Sequence, residues 1–170
     1  VPLKKPIVLC VAALVPLKRI DLLIRAMVGI PHASLLVIGR GYLKAELEKL
    51  GKKLLGDRFL LLDTVTRDAL PPFYKAATLF SLPSSSTEAL GFVQIEAMAA
   101  NVPVVATDDE NRRKIIGDAG ILVDPADTGA YAVALSKALE TDFGDKPIQQ
   151  ARHFAWDDIV EKYSEVLQKL

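Results

Sequence analysis

The sequence predicts one α/β domain: a doubly wound parallel sheet of about six strands, with helices on both faces and extra helices at the C-terminal end. Three observations lead there. Short, continuous apolar runs recur along the chain, each is followed by a stretch of helical period, and the joints between them are rich in Gly, Pro, Asp and Ser. A length of 170 residues suits a single domain with a full core, and the whole of 1–170 is read as one unit.

The first run, "PIVLCVAAL", occupies residues 6–14 and precedes "DLLIRAMVGI", where Leu22, Leu23, Ala26 and Met27 recur at helical spacing. "ASLLVIG" precedes "LKAELEKLGKKLL", "RFLLLDT" precedes "RDALPPFYKAA", and "TLFSLPS" precedes "GFVQIEAMAA". "VPVVAT" leads into a short polar helix around residues 112–116, and "AGILVDP" into "TGAYAVALSKALE". "KPIQQARHF" and "DDIVEKYSEVLQKL" are helical with no further strand. Unbroken apolar strands alternating with amphipathic helices describe a Rossmann-like sheet buried on both faces. Pro71 and Pro72 mark a helix entry, Asn101 closes a helix in the left-handed conformation, and Cys10 packs inside the first strand. Trp156, with Phe154 and Tyr163, reads as an aromatic anchor for the last helices. "DDENRRK" reads as a solvated, charged turn.

Composition excludes several classes of function. Apolar residues at 51% and charged residues at 25% describe a globular chain rather than a disordered one. Lys+Arg and Asp+Glu both number 21, so there is no basic excess of the kind that nucleic-acid binding requires. One cysteine and two separated histidines, His32 and His153, give neither a disulfide framework nor metal-ligand spacing. No apolar run approaches the roughly 20 residues that span a bilayer. The expected location is the cytoplasm, and the start at Val1 reads as that of a processed chain or an excised domain.

In an open parallel sheet, ligands bind beyond the carboxyl ends of the strands. After the first strand, "AALVPLKRID" lacks the G-x-G-x-x-G fingerprint, which argues against an ordinary NAD enzyme. Lys18 and Arg19 fall at the expected start of the next helix, where cations oppose the macrodipole unless an anion arrives. The second loop holds Gly39, Arg40 and Gly41, whose missing side chains suit either close approach to a ligand or a tight turn. The fourth loop, "LPSSSTEALG", is rich in hydroxyls, and its helix opens near Gly91, where free N–H groups could receive a phosphate. Glu88 suits a helix N-terminus on dipole grounds alone. Glu96 lies among Phe92, Val93, Ile95, Ala97 and Met98, a setting that leaves its charge either on an exposed stripe or in a site. A carboxylate can accept two hydrogen bonds from adjacent sugar hydroxyls, and a helix N-terminus can hold a diphosphate, a combination that fits a sugar nucleotide.

These residues carry a family resemblance. Glu88 and Glu96 have the E-x7-E spacing, and "EALGFVQIEAMAANVPVVAT" resembles the signature of GT-B glycosyltransferases of family 4 (group 1), which are retaining enzymes. "LVPLKRIDLLIRAM", "LLVIGRG", "LPPFYKAATLFSLPS", "GDAGILVDPAD" and "FAWDDIVEKY" follow in the order of that family's C-terminal domain. The resemblance implies a nucleotide-sugar donor as ligand, a separate N-terminal acceptor-binding domain as partner, and no metal or other cofactor. It implies that Glu96 accepts from the donor ribose and Glu88 contacts the transferred sugar. Ala89, Leu90, Gly91 and Phe92 would line the sugar and diphosphate with main-chain groups. Lys18 would neutralise the leaving diphosphate, and residues 63–66, with Val65 among them, would lie beside the base. Membrane association would reside in the absent domain.

The sequence departs from the pattern at two places. Ala13 stands where the family has an arginine, with Ala12 where a glycine is common, so one diphosphate cation is missing and Arg19 or Arg40 is expected to supply it. Ala89-Leu90 stands where Gly-Phe is common. The reading is therefore the donor half of a glycosyltransferase, binding nucleotide but inactive alone. Ala13 also suits a non-catalytic sugar-nucleotide-binding or assembly module. A sugar-nucleotide epimerase would need catalytic acids and a histidine that the sequence does not place.

Overall fold

The computed structural model describes residues 3–85 and 91–155. The apolar runs become strands β1 (Ile7–Val11), β2 (Ser34–Ile38), β3 (Phe59–Leu62), β4 (Leu79–Leu82), β5 (Val104–Thr107) and β6 (Gly120–Val123). All pair in parallel, in the order β3-β2-β1-β4-β5-β6. The predicted Rossmann-like sheet is therefore present, with β1 at its centre. Every residue of β2, β4 and β5 is buried, as expected of strands covered on both faces.

The helices among the described residues are α1 (Ile20–Ala26), α2 (Lys44–Leu55), α3 (Pro71–Ala76), α4 (Phe92–Ala99), α5 (Glu110–Ile116), α6 (Thr128–Glu140) and α7 (Lys146–Arg152). Helix α1 packs between α2 and α6, while α4 packs against α5 and α7. Leu9, Leu23, Leu36, Phe80 and Met98 are 0–1% exposed. At about 1.5–3 kcal/mol for each fully buried large apolar side chain, such burial is the main stabilising term. Tyr131 of α6 is also wholly buried, and its hydroxyl meets Ser81 Oγ at 2.6 Å, while Ser81 donates to the Val105 carbonyl at 2.7 Å. Cys10 lies at the middle of the sheet, 0% exposed.

Local signals explain where the helices begin and end. Pro71 and Pro72 open α3, where the missing N–H groups are not needed. Asp109 and Asp127 cap α5 and α6 by accepting from the N–H groups of Arg112 and of Gly129 and Ala130. Asn101 has φ 59° beyond the end of α4, and its amide also bonds Gly144 O and Ile148 N, which ties α7 to that turn.

Two sequence expectations need correction. Lys18 does not open α1: it ends a short 3-10 turn (Pro16–Lys18), and Arg19, at φ 47°, is the joint before α1. A cation at the end of a turn meets carbonyls rather than N–H groups, so the expected dipole penalty does not arise for Lys18. "DDENRRK" is not simply a solvated turn, because Arg112 is 2% exposed. Its guanidinium pairs with Asp109 and donates to Ser84 Oγ at 2.7 Å, partners sufficient to hold a buried charge. Phe154 packs against the core, while Trp156 and Tyr163 lie outside the described residues.

Candidate donor site at the centre of the sheet

The strand order reverses between β1 and β4, and the loops leaving these neighbouring strands diverge there. A cavity of about 360 Å³ opens at the carboxyl ends of β1, β2 and β3. Val11, Ala12 and Ala13 form one wall, Ile38, Gly39 and Arg40 the next, and Thr64, Val65, Leu70 and Val93 the remainder. Gly39, Arg40 and Val65, three of the expected donor-binding residues, are thus brought together. Glu96 stands one helical turn beyond Val93 on the same face of α4.

The glycines of the second loop serve the neighbouring loop. A Cβ on Gly39 would lie 1.8 Å from the Ala12 carbonyl oxygen, and one on Gly41 would lie 2.3 Å from that of Leu14. Leu14 N–H donates to Arg40 O at 2.8 Å, and Leu43 N–H donates to Leu14 O at 3.1 Å. Side chains there would push the two loops apart. The Arg40 side chain is left exposed at the rim.

Arg19 points into the frame of the site. Its Nε donates to Pro83 O at 2.7 Å, and one terminal nitrogen donates to Ser84 O at 3.0 Å and Thr107 Oγ1 at 3.1 Å. Ser85 N–H also donates to Leu17 O at 2.9 Å, lacing the β1–α1 loop to the chain leaving β4. Arg112 grips the same residues, donating to Ser84 Oγ and to Ser85 O at 3.4 Å. Two guanidinium groups therefore fix residues 83–85.

Gly91 caps α4 at φ 55°, and a Cβ there would lie 2.6 Å from Gln94 Nε2. The Gln94 amide is wholly buried, and neither of its polar atoms has a hydrogen-bond partner among the described residues. Phe92 is 63% exposed at the same helix end. Glu88, Ala89 and Leu90 lie outside the described residues.

Glu96 is held from two sides. The buried Tyr74 hydroxyl donates to its Oε2 at 2.8 Å, and Arg67 approaches Oε1 at 3.3 Å. Burial and then the Glu96 charge push the Tyr74 hydroxyl well above the ordinary phenol range, so it remains a donor. Near the cavity wall formed by Thr64 and Val65, Lys44 pairs with Asp63 at 2.6 Å, and this hydrogen bond, with a second from Thr64 N–H, holds the Asp63 carboxyl below its usual range. The sequence reading passed over Tyr74 and Lys44. An acid in an apolar helix requires a partner, and that requirement was the available signal for Tyr74.

With this geometry in place, the chain matches the family described as glycosyl transferases group 1 over residues 1–154. It belongs to that family. A D-inositol 3-phosphate glycosyltransferase of Mycolicibacterium smegmatis is 31% identical over 181 residues, covering 98% of this chain and 42% of that protein. A GDP-mannose-dependent alpha-(1-6)-phosphatidylinositol monomannoside mannosyltransferase of the same organism is 29% identical over 148 residues, covering 79% of this chain and 39% of that one. Among solved structures, sucrose-phosphate synthase from Thermosynechococcus elongatus superposes with TM-score 0.85 at 30% identity, covering 99% of this chain and 46% of that one. Anabaena HepE, solved with UDP and glucose, shares the fold with TM-score 0.80 at 22% identity, covering 97% and 48%. This group 1 chain thus spans about two fifths of the length of the curated relatives it matches. Among its described residues, no helix is long and apolar enough to cross a membrane.

Proposed function

We propose that this group 1 chain is the nucleotide-sugar donor-binding domain, the C-terminal half, of a retaining family 4 glycosyltransferase. The observation that carries the reading is the cavity at the carboxyl ends of β1, β2 and β3, with the Glu96 carboxylate one turn beyond its Val93 wall. The base lies against Val65 and Gly39, and the ribose hydroxyls donate to Glu96. The diphosphate lies towards Gly91, Phe92 and the N-terminus of α4. Glu88, with main-chain groups of Ala89 and Leu90, takes the transferred sugar. Lys18 stabilises the charge that develops as the diphosphate leaves.

Arg19 already donates to three oxygens of the frame, so Arg40, exposed at the cavity rim, is the better replacement for the cation missing at Ala13. Arg19 contributes its field and its grip on residues 83–85. An N-terminal domain holds the acceptor, and its closure excludes water. Attack from the face of the departing diphosphate retains configuration, and no protein nucleophile, metal or other cofactor enters.

Calorimetric titration with UDP, GDP and ADP tests this reading. One of the three is expected to bind, and Glu96→Ala is expected to weaken it by about fiftyfold, the effect of losing charged hydrogen bonds worth roughly 2–3 kcal/mol. Equal affinity in the two proteins would remove Glu96 from the site. Ala13 in the cavity wall favours a second reading, a sugar-nucleotide-binding module without catalysis. Sugar transfer by a longer chain containing the N-terminal half would exclude it.

A further inference from the structure

We propose that Tyr74 is a positioning residue whose hydroxyl aims the Glu96 carboxylate at the donor ribose, so that selectivity for a ribose diol depends on a side chain that does not touch the nucleotide. This rests on the donor-site reading of Glu96. The two contacts on the Glu96 carboxylate are unequal. Arg67 reaches Oε1 at 3.3 Å from a side chain that is 85% exposed, a long contact that solvent weakens. Tyr74 reaches Oε2 at 2.8 Å from a residue 3% exposed.

The phenol itself cannot easily move. Pro71 and Pro72 fix the start of its short helix, and its ring packs against Phe80 with centroids 6.0 Å apart. Glu96, by contrast, has three rotatable bonds, and its side chain is 28% exposed. A free carboxylate there would have to be ordered by the ligand, at a loss of side-chain entropy. Tying Oε2 to a rigid donor removes that loss beforehand. It also leaves Oε1 and the remaining lone pairs for adjacent hydroxyls, because a carboxylate accepts at about four sites. The donor pairs only with Glu96 among the described hydrogen bonds, so its removal changes this one orientation.

The test compares each of UDP, GDP and ADP with its 2′,3′-dideoxy counterpart by calorimetry, in the parent chain and in Tyr74→Phe, Arg67→Ala and Glu96→Ala. The readout is the ratio of ribo to dideoxy affinity for the base that binds best. The parent ratio is expected to be about tenfold or more, as for a site built to hydrogen-bond a hydroxyl. Tyr74→Phe keeps the ring and its packing. It is expected to melt in one cooperative transition, bind the dideoxy ligand as the parent does, and lower the ratio by about fivefold. Arg67→Ala is expected to change the ratio by less than about twofold.

A Tyr74→Phe ratio equal to that of the parent overturns the proposal, as does a loss in Arg67→Ala as large as in Tyr74→Phe. An equal weakening of both ligands in Tyr74→Phe would show a structural role only and also overturns it. The outcome that instead fails the donor-site reading is distinct: the parent and Glu96→Ala would both show a ratio near one, and this proposal would fall with it.

Discussion

Arg112→Ala is expected to lower the melting temperature by about 10 °C, because it removes one partner of a buried ion pair at a cost of about 3 kcal/mol. The guanidinium is 3% exposed and its partner Asp109 13%, so water does little to replace the lost contact. Ser84 Oγ, also buried, loses its donor at 2.7 Å. Arg112→Met separates the contributions: it retains most of the stem's packing, so a loss close to that of Arg112→Ala would assign the effect to the charge and its hydrogen bonds. A thermal melt within about 2 °C of the parent for Arg112→Ala would contradict the account. The second consequence is local. Residues 83–85 would then be held by Arg19 alone of the two arginines, and nucleotide affinity should fall along with stability.

Gly39→Ala should be nearly as damaging to the fold, and more damaging to the site. Its Cβ would lie 1.8 Å from the Ala12 carbonyl oxygen and 3.4 Å from Leu14 Cδ2. The clash is with backbone, and that backbone is anchored by Ala12 N–H to Ile38 O at 3.1 Å and by Leu14 N–H to Arg40 O. Relief requires moving the whole β1–α1 loop, at about 3 kcal/mol, the upper end of the usual overpacking penalty. The same two residues form adjoining walls of the cavity. The expected result is a folded protein that melts about 10 °C lower and shows no nucleotide binding in the concentration range that saturates the parent. Unchanged affinity would mean that the ligand does not use this cavity.

The fold was legible because strands buried on both faces leave unbroken apolar runs, and each of the six predicted runs became a strand. Pro71-Pro72 and Asn101 were legible for a related reason: each acts through its own backbone, which needs no distant partner. The site was only partly legible. Glu96 stood out as an acid in an apolar helix, but its closer partner, Tyr74, was passed over, because it arrives from a different helix.

Arg112 was misread for the opposite reason. In a run of charges the default is solvation, and only the arrival of Ser84 and Ser85 from another loop turns this arginine inward. Gly39 was recognised as a position without a side chain, yet the group that needs the space is a carbonyl from the neighbouring loop. Contacts between loops that meet only after the sheet assembles leave no periodic trace in the chain.

The burial of Cys10 has a further use. It is the chain's single cysteine, is not in a disulfide, and sits wholly enclosed in the central strand. A thiol reagent can reach it only when that strand comes out of the sheet, an event close to complete unfolding. The rate of thiol modification is therefore a clock for opening of the native state, built in without any label. A ligand that binds only the native form slows that clock in proportion to one plus its concentration divided by its Kd. The middle of the core thus reports on occupancy at the rim, and the same reading follows the loss of the Arg112 pair or the crowding at residue 39 without heating the protein.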